Sequence, residues 1–177
     1  LPEDYCYMHV SRPGYTGISS VGNDRTNVVM VVEGSAFAGG KIEKPKDFYH
    51  RVLMQNHRRS KMLESGERIE PVRFVESLAF SVKPVPCGGL MLVGDATGFI
   101  DPFTGEGIYL SLRSSQLAGE VIHAGFNNSN FSRNVLSVYD QRRQQEFGGK
   151  FLLSRVLQWL ICNRPFCNRV MKTLSSN

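Results

Sequence analysis

The residues whose types and spacing could bind a ligand lie in the middle of the chain. Gly94, Asp95 and Ala96 follow a short apolar run at residues 90–93, which is bounded by glycines and predicts a buried strand that ends in a tight turn. A loop rich in glycine, proline and threonine comes next, and apolar residues at helical spacing then predict a helix that begins near Gly107. The expected order is strand, long loop and helix.

This order puts backbone N–H groups without helical partners at the start of the helix, where the helix dipole is positive. Gly105 and Gly107 carry no side chain, so the backbone there could touch an anion or a polarised carbonyl group. Asp95 could accept hydrogen bonds from the hydroxyl groups of a ligand. A polyhydroxylated chain held by Asp95 and an electron-rich ring held at the helix start would suit a flavin.

A resemblance to a known family rests on three spaced segments, Gly94-Asp95-Ala96, Asp101-Pro102 and Thr104-Gly105-Glu106-Gly107-Ile108. Together they resemble the second flavin-binding motif of the glutathione-reductase-type FAD enzymes, in the branch that contains aromatic hydroxylases, flavin-dependent halogenases and geranylgeranyl reductases. Asp-Pro followed by Gly-Glu-Gly-Ile is most similar to the geranylgeranyl reductase-like FAD-dependent oxidoreductases. The resemblance covers the C-terminal portion of such an enzyme.

The resemblance implies that Asp95 binds the ribityl chain of FAD and that the backbone N–H groups of Gly107 and Ile108 face the N1/O2 edge of the isoalloxazine ring. The loop before the helix would pass beside the ring, where we expect the substrate. Glu106 is expected to line the site and not to act as a catalytic acid, and no catalytic residue is assigned. The predicted cofactor-binding residues are Gly94, Asp95, Ala96, Pro102, Thr104, Gly105, Glu106, Gly107 and Ile108.

Each of these residues taken alone has a purely structural explanation. Asp95 could cap a turn, and Gly105 and Gly107 could permit positive φ angles in a loop. Glu106 could stabilise the first helical turn without any ligand, because an acidic side chain there is favourable. The complete spaced set favours the flavin interpretation.

The first FAD-binding element of such enzymes, a strand followed by Gly-x-Gly-x-x-Gly and a helix, does not occur in the 177 residues. The chain also begins at Leu1 instead of methionine. We therefore expect a piece of a longer protein, whose N-terminal FAD-binding half is a required partner. The piece alone is expected to bind FAD poorly and to be inactive.

The predicted function is FAD-dependent redox chemistry, most simply double-bond reduction, on a hydrophobic small molecule such as a prenyl lipid, with NAD(P)H or another reductant as electron donor. A flavin-dependent monooxygenase or halogenase is one alternative. A non-enzymatic binding module on the same fold is another, although the presence of Asp95, Gly105 and Gly107 argues against a decayed site. The sequence lacks the Gly-x-Ser-x-Gly elbow of hydrolases and any spaced cluster of metal ligands.

The expected fold class is α+β or α/β. It comprises the C-terminal part of a glutathione-reductase-type FAD-binding fold, an antiparallel substrate-domain sheet and a helical C-terminal tail. Residues 1–83 are predicted to form the substrate-domain sheet with one helix. Residues 84–126 would complete the FAD-binding domain, and residues 127–177 would form the tail.

The elements expected in the first region are antiparallel strands over residues 5–10, 15–21 and 26–33, a helix over residues 46–63 and an extended segment over residues 71–82. The third strand is apolar on both faces, which predicts a covered central position. The basic side chains of the helix predict a solvated face. The apolar residues of the extended segment are expected to point inward.

The tail is predicted to contain one helix near residues 135–139, a second over residues 151–161 and a short third helix over residues 166–174. The second helix carries an apolar stripe that we expect to pack on its own protein, formed by Leu152, Leu153, Val156, Leu157 and Leu160. Basic residues beside this stripe leave a second interpretation open, in which the tail makes a peripheral membrane contact.

The net charge of +5 is concentrated in the tail, because residues from 131 onward carry a net charge of +6. No nucleic-acid partner is expected for the basic side chains of the helix over residues 46–63, since no recognition fold accompanies them. The sequence shows no signal peptide and no run of about 18 apolar residues. The four cysteines lack metal-ligand spacing. Reduced thiols and a cytoplasmic location are the simplest expectation, with a membrane-peripheral location as the alternative.

Overall fold

A computed structural model of the chain describes residues 5–38, 43–76, 78–85 and 87–176. The chain divides into two units, a sheet unit, Leu1–Glu76, and a helical unit, Ser77–Asn177. An antiparallel sheet lies in the first and long helices form most of the second. This mixed architecture confirms the antiparallel sheet and the helical C-terminal region of the predicted fold class.

The sheet unit contains three antiparallel strands, β1 (Cys6–Ser11), β2 (Gly14–Ser20) and β3 (Thr26–Val32). They are joined by short turns in the order β1-β2-β3, as the alternating pattern predicts. Gly14 at the start of β2 lies so close to β3 that an added Cβ would overlap the carbonyl oxygen of Val31. Glycine therefore permits the close approach of these two strands.

The predicted central position of the third strand is wrong, because β2 lies between β1 and β3. Tyr15, Thr16 and Ile18 of β2 are buried, whereas Val29 of β3 is 45% exposed. A run of β-branched residues predicts a strand but not its neighbours. In a three-strand meander the connectivity alone puts the second strand in the middle.

The helices of the sheet unit are α1 (Gly34–Ala38), α2 (Pro45–Met54) and α3 (His57–Met62). The prediction of one helix over residues 46–63 is therefore wrong. Asn56 interrupts it with an extended backbone, and its side chain accepts a hydrogen bond of 3.1 Å from the backbone N–H of Arg59. An asparagine that caps a new helix in this way competes with continuation of the preceding one.

Arg59 also corrects the prediction of a solvated basic face, because only 1% of this residue is exposed. Its guanidinium group donates to the hydroxyl oxygens of Thr16, at 3.0 Å, and Ser11, at 3.2 Å. It also donates to the carbonyl oxygens of Leu53, at 2.8 Å, and Val52. One arginine thus ties the end of α2 to the first two strands.

His9 on β1 gives the sheet unit an expected dependence on pH. Burial, and then the positive charges of Arg59 and Arg58, lower the pKa of His9 below its usual value of about 6.5. The folded state then binds fewer protons than the unfolded state, so stability is present above about pH 6.5 and is lost as the pH falls towards the folded pKa. The free energy of unfolding from urea titrations should be lower at about pH 5.5 than at about pH 7.5.

The variant His9→Gln keeps a polar side chain that does not titrate, so its unfolding free energy should change less between the two pH values. An equal pH dependence in both proteins would contradict the role of His9.

The extended segment predicted before the central motif forms only a two-residue strand, β4 (Phe80–Ser81), which pairs with β5 (Gly98–Phe99). The predicted inward orientation of its apolar residues is also wrong, since Phe74, Leu78 and Phe80 are 47%, 38% and 49% exposed. Apolar side chains favour burial, but they become buried only where another part of the protein packs against them.

The predicted strand over residues 90–93 is likewise not formed within the described residues. Val93 has extended backbone angles, φ −126° and ψ 160°, but the described part of the chain pairs no strand with it. A strand requires hydrogen-bonded neighbours, and an apolar run does not supply them.

The helical unit contains α4 (Gly107–Asn127), α5 (Arg133–Cys162) and α6 (Arg164–Ser175). The start of α4 at Gly107 confirms the prediction. α4 and α5 pack together through a core that consists of Leu117, Ala118, Val121, Leu136, Tyr139 and Phe147. Among the described residues, no helix combines the length and apolar character needed to cross a membrane.

α5 is one continuous helix, so the prediction of two separate helices in this region is wrong. Gly148 and Gly149 lie in its interior, where each costs about 1 kcal/mol relative to alanine. Phe147 before them is 1% exposed and Phe151 after them packs against the same core. This packing holds the helix on both sides of the glycines.

Candidate functional site

The turn that follows Val93 is pressed against α4. Gly94 adopts φ 57°, and its N–H group donates a 2.8 Å hydrogen bond to the hydroxyl oxygen of Ser114. A Cβ atom added at Gly94 would lie 2.8 Å from the hydroxyl oxygen of Ser111. The small side chains on this face of α4 therefore allow the turn to approach the helix.

Asp95 and Ala96 lie on the exposed side of this short 3-10 turn, Gly94–Thr97. The hydroxyl group of Thr97 donates to the carbonyl oxygen of Gly94, at 2.7 Å, and accepts from Arg143 of α5, at 3.1 Å. The turn is thus fixed to both long helices, while the carboxylate of Asp95 stays accessible to a ligand.

The loop between this turn and α4 is shaped by its own backbone contacts. Asp101 accepts a 2.9 Å hydrogen bond from the N–H of Phe103 and so caps a second 3-10 turn, Pro102–Thr104. Gly105 ends that turn in the left-handed region, at φ 68°. An added Cβ at either Gly105 or Gly107 would meet no atom within 4 Å. The backbone of both glycines therefore faces open space.

The N-terminus of α4 has no side-chain cap. Glu106 occupies the capping position, but its side chain forms no capping hydrogen bond and pairs with Lys150 of α5. This hydrogen bond raises the pKa of Lys150. The first N–H groups of α4 and the positive end of its dipole are left available to a ligand.

These features meet in a pocket of about 200 Å³. Of the nine predicted cofactor-binding residues, eight line the pocket and only Ala96 does not. The walls are completed by apolar and aromatic residues that include Phe99, Ile100, Phe147 and Phe151. One side of the pocket is therefore polar backbone and the other is aromatic.

Helix α5 supplies Phe147, Phe151 and Ser154 to the pocket, and none of these three residues was predicted to line it. The spacing of four residues between Phe147 and Phe151 is helical and could have indicated a shared face. The glycine pair between them indicated a helix break instead. Nothing local in the sequence indicated that Lys150 pairs with Glu106.

An ion pair and a contact between a cation and an aromatic ring also join α4 to α5 beside the pocket. Arg113 donates two hydrogen bonds to Glu146, at 2.6 and 2.8 Å, and these lower the pKa of Glu146. The ammonium group of Lys150 lies 5.0 Å from the ring centroid of Tyr109. The rim of the pocket is thus held by charged groups that remain paired near neutral pH.

A larger cavity of about 490 Å³ lies on another side of α5, where residues 82–85 and Leu92 face Asp140 and Arg143. None of the nine predicted residues lines it. Size alone would favour this cavity, but the helix terminus, the accessible carboxylate and the aromatic wall all belong to the smaller pocket.

Comparison with known proteins shows which sequences the chain is similar to. Over 153 residues the chain is 31% identical to digeranylgeranylglycerophospholipid reductase from Methanospirillum hungatei, a match that covers 85% of this chain and 35% of that protein. The chain is therefore similar to a geranylgeranyl reductase-like protein over most of its own length. It is also 30% identical over 154 residues to digeranylgeranylglycerophospholipid reductase 1 from Methanococcoides burtonii, covering 85% of this chain and 36% of that protein. No family model matches the chain.

A third relative is named as a receptor and not as a reductase. Conditioned medium factor receptor 1 from Dictyostelium discoideum is 28% identical over 155 residues, which are 86% of this chain and 30% of that protein. The chain spans about a third of the length of these relatives.

The similarity to geranylgeranyl reductase-like oxidoreductases implies an FAD cofactor. The residues of the pocket fit one part of the FAD molecule. Its volume of about 200 Å³ is smaller than that of sites that enclose a whole drug-sized ligand, which span about 300–1,000 Å³. It offers uncapped N–H groups at Gly107 and Ile108, a carboxylate at Asp95 and an aromatic wall. These groups suit one edge of a flavin ring and the adjoining hydroxylated chain.

Proposed function

We propose that this chain supplies the ring-binding part of the cofactor site in an FAD-dependent oxidoreductase that reduces double bonds of a prenyl lipid. The observation that carries the proposal is the convergence of the uncapped start of α4, the exposed Asp95 and the aromatic wall in one pocket. The names of the relatives from Methanospirillum hungatei and Methanococcoides burtonii, which describe reductases of a digeranylgeranylglycerophospholipid, support the reaction class.

The polar side of the pocket would hold and orient the cofactor. When bound, FAD supplies the hydride-transfer chemistry, with NAD(P)H or another reductant as the proposed electron source. The N–H groups of Gly107 and Ile108 would donate to the N1/O2 edge of the ring, and the dipole of α4 would stabilise negative charge there. Asp95 would accept hydrogen bonds from the ribityl hydroxyl groups.

Lys150 would keep the cofactor site electrostatically favourable. The carboxylate of Glu106 stands at the helix start, where an unpaired negative charge would repel an electron-rich ring. The ion pair with Lys150 neutralises this charge and directs the side chain of Glu106 towards α5. Glu106 would therefore link the start of α4 to α5 and would not act as a proton donor.

The apolar wall would receive the substrate. Phe99, Phe147 and Phe151 line the pocket, and Ile108 at the helix start is 78% exposed. Apolar side chains of this kind would exclude water from the reacting atoms and accept a hydrocarbon chain. This wall supports a hydrophobic substrate over a charged or strongly polar one.

Two other functions remain as alternatives. Hydroxylation or halogenation would use the same cofactor site, and mass spectrometry of the product separates these reactions, since reduction adds hydrogen and monooxygenation adds oxygen. A binding module without a cofactor is the second alternative, and the name of the Dictyostelium relative, a receptor, favours it. A flavin in the purified protein distinguishes this alternative from the enzyme.

The test is the FAD content of the intact protein, meaning the full-length protein that contains this chain, and of its variant Asp95→Asn. We expect the intact protein to purify with FAD or to bind it on reconstitution. The variant keeps the shape of the side chain but loses the charge, and its affinity for FAD should fall about tenfold or more, because hydrogen bonds to charged groups contribute about 1.5–3 kcal/mol each. Fluorescence titration of the apoprotein with FAD measures this affinity.

The matched control is Asp24→Asn, which changes an exposed aspartate in a turn of the sheet unit and should not alter FAD affinity. An intact protein that binds no FAD would refute the enzyme and leave the binding module. An unchanged affinity in Asp95→Asn would remove Asp95 from the site without refuting the enzyme.

A further inference from the structure

The second half of α5 has two apolar faces, and only one of them is covered. Phe147 and Phe151 face the core and the pocket. The opposite face carries exposed large side chains at helical spacing. Three of the five residues of the predicted stripe therefore do not pack on the described part of the chain, whereas Leu157 and Leu160 are half-buried. Leu152, Leu153, Val156 and Trp159 are 65%, 54%, 51% and 54% exposed.

α6 continues this apolar surface. Phe166, Met171 and Leu174 lie within one side of the helix and are 44%, 59% and 66% exposed. The rings of Trp159 and Phe166 contact each other with centroids 5.2 Å apart, so the two exposed stripes meet at the junction of α5 and α6. The α5–α6 apolar face consists of Leu152, Leu153, Val156, Trp159, Phe166, Met171 and Leu174.

The charge around the α5–α6 apolar face has one sign. The segment from residue 151 to residue 177 contains four basic residues and no acidic residue, whereas Lys150 before it is paired with Glu106. Arg155, Arg169 and Lys172 belong to this group and lie on the exposed sides of their helices, beside the apolar stripes. An apolar stripe flanked by cations, with an aromatic residue in its middle, is the pattern of a helix that lies in a membrane interface.

We propose that the α5–α6 apolar face docks on the surface of an anionic phospholipid bilayer. The leucines, valine and methionine would enter the boundary of the acyl chains, and Trp159 would lie at the level of the headgroups. The basic side chains would bind lipid phosphates. This docking goes beyond the redox function and needs no bound FAD.

Charge complementarity favours this occupant over a second copy of the chain. Two copies that met through the α5–α6 apolar face would bring two clusters of four basic residues together without an acidic residue in either segment. Like charges that face each other across an interface oppose association. An anionic lipid surface supplies the missing negative charge.

Sedimentation of the intact protein with vesicles tests the proposal. Vesicles of phosphatidylcholine with about a third phosphatidylglycerol are compared with vesicles of phosphatidylcholine alone. We expect tighter binding to the anionic vesicles and a weaker affinity as the salt concentration rises. With lipids that carry a quencher, the emission of Trp159 should decrease, and Trp159→Phe supplies the background signal.

Two double variants separate the apolar and the electrostatic contributions. Leu152→Ser with Val156→Ser should lower the affinity for anionic vesicles about tenfold or more, because two apolar side chains no longer leave water. Arg155→Gln with Lys172→Gln should lower it about tenfold on anionic vesicles and hardly at all on neutral ones. The matched controls Val21→Ser with Ile69→Ser, and Lys46→Gln, change exposed residues of the sheet unit and should have no effect.

Binding that is absent, or that is equal in the variants and the intact protein, would overturn the proposal. So would a dimer in solution that dissociates in the apolar variant, since a second copy would then cover the face. Circular dichroism shows whether the apolar variant folds. If it does not, the result for the charge variant, which leaves the apolar residues in place, decides.

Discussion

Replacing Gly107 with leucine is expected to lower the affinity of the intact protein for FAD about a hundredfold without lowering its stability. The first part follows from the proposed close approach of the flavin ring to the start of α4, where a side chain would keep the ring away from two N–H donors. Two hydrogen bonds to a polarised group contribute about 3 kcal/mol together, which corresponds to about a hundredfold in affinity. The second part follows from the space around Gly107, where an added Cβ would meet no atom within 4 Å.

The matched control is Gly119→Leu on the same helix, where an added Cβ would also meet no atom within 4 Å. Gly119 does not line the pocket. Both variants should raise thermal stability slightly, because leucine is a better helix former than glycine by up to about 1 kcal/mol. Only Gly107→Leu should lose FAD in a fluorescence titration. Equal affinities in the two variants would show that the ring does not approach the helix start.

The variant Arg59→Met is expected to destabilise the sheet unit by about 3 kcal/mol or more. Methionine fills much of the space of the arginine side chain but donates no hydrogen bonds. The carbonyl oxygens of Val52 and Leu53 and the hydroxyl group of Thr16 would lose a buried donor. A buried polar group without a partner costs about 1–3 kcal/mol.

Urea unfolding followed by the hydrogen exchange of β1 and β2 measures this loss, because both strands contain acceptors for Arg59. The control is Arg58→Met, which changes the neighbouring and exposed arginine and should shift the unfolding free energy by less than about 0.5 kcal/mol. If Arg59→Met were as stable as Arg58→Met, the hydrogen bonds of Arg59 would not be what holds α2 and α3 to the sheet.

Much of the sheet unit could be predicted from the sequence, because its signals are local. Alternation of apolar residues and short turns defined β1, β2 and β3 within one or two residues of their observed ends. The same local signals failed at Asn56 and Arg59. Whether an asparagine caps a new helix, and whether an arginine is solvated or buried, depends on partners far along the chain, such as Ser11 and Thr16.

The candidate site likewise has one part that local sequence signals predict and one part that they do not. The start of α4 at Gly107 and the left-handed Gly105 follow from the order of residues in one loop, so the spaced motif located the polar side of the pocket. Much of the aromatic side comes from α5, about forty residues later, and no local pattern connects Phe147 and Phe151 with that loop. The binding of FAD by these residues stays a prediction.

The sequence by itself determined the three-strand meander, the helix that begins at Gly107 and the motif that indicates the family. Each depends on periodicity, turn residues or spacing within a short stretch of chain. Four features depend on how the folded chain packs: β2 is central, Lys150 neutralises Glu106, Arg59 is buried and much of the stripe on α5 is exposed. The physical reason is that burial and pairing are properties of two segments at once, and their free energy is set by which surfaces the folded chain brings together.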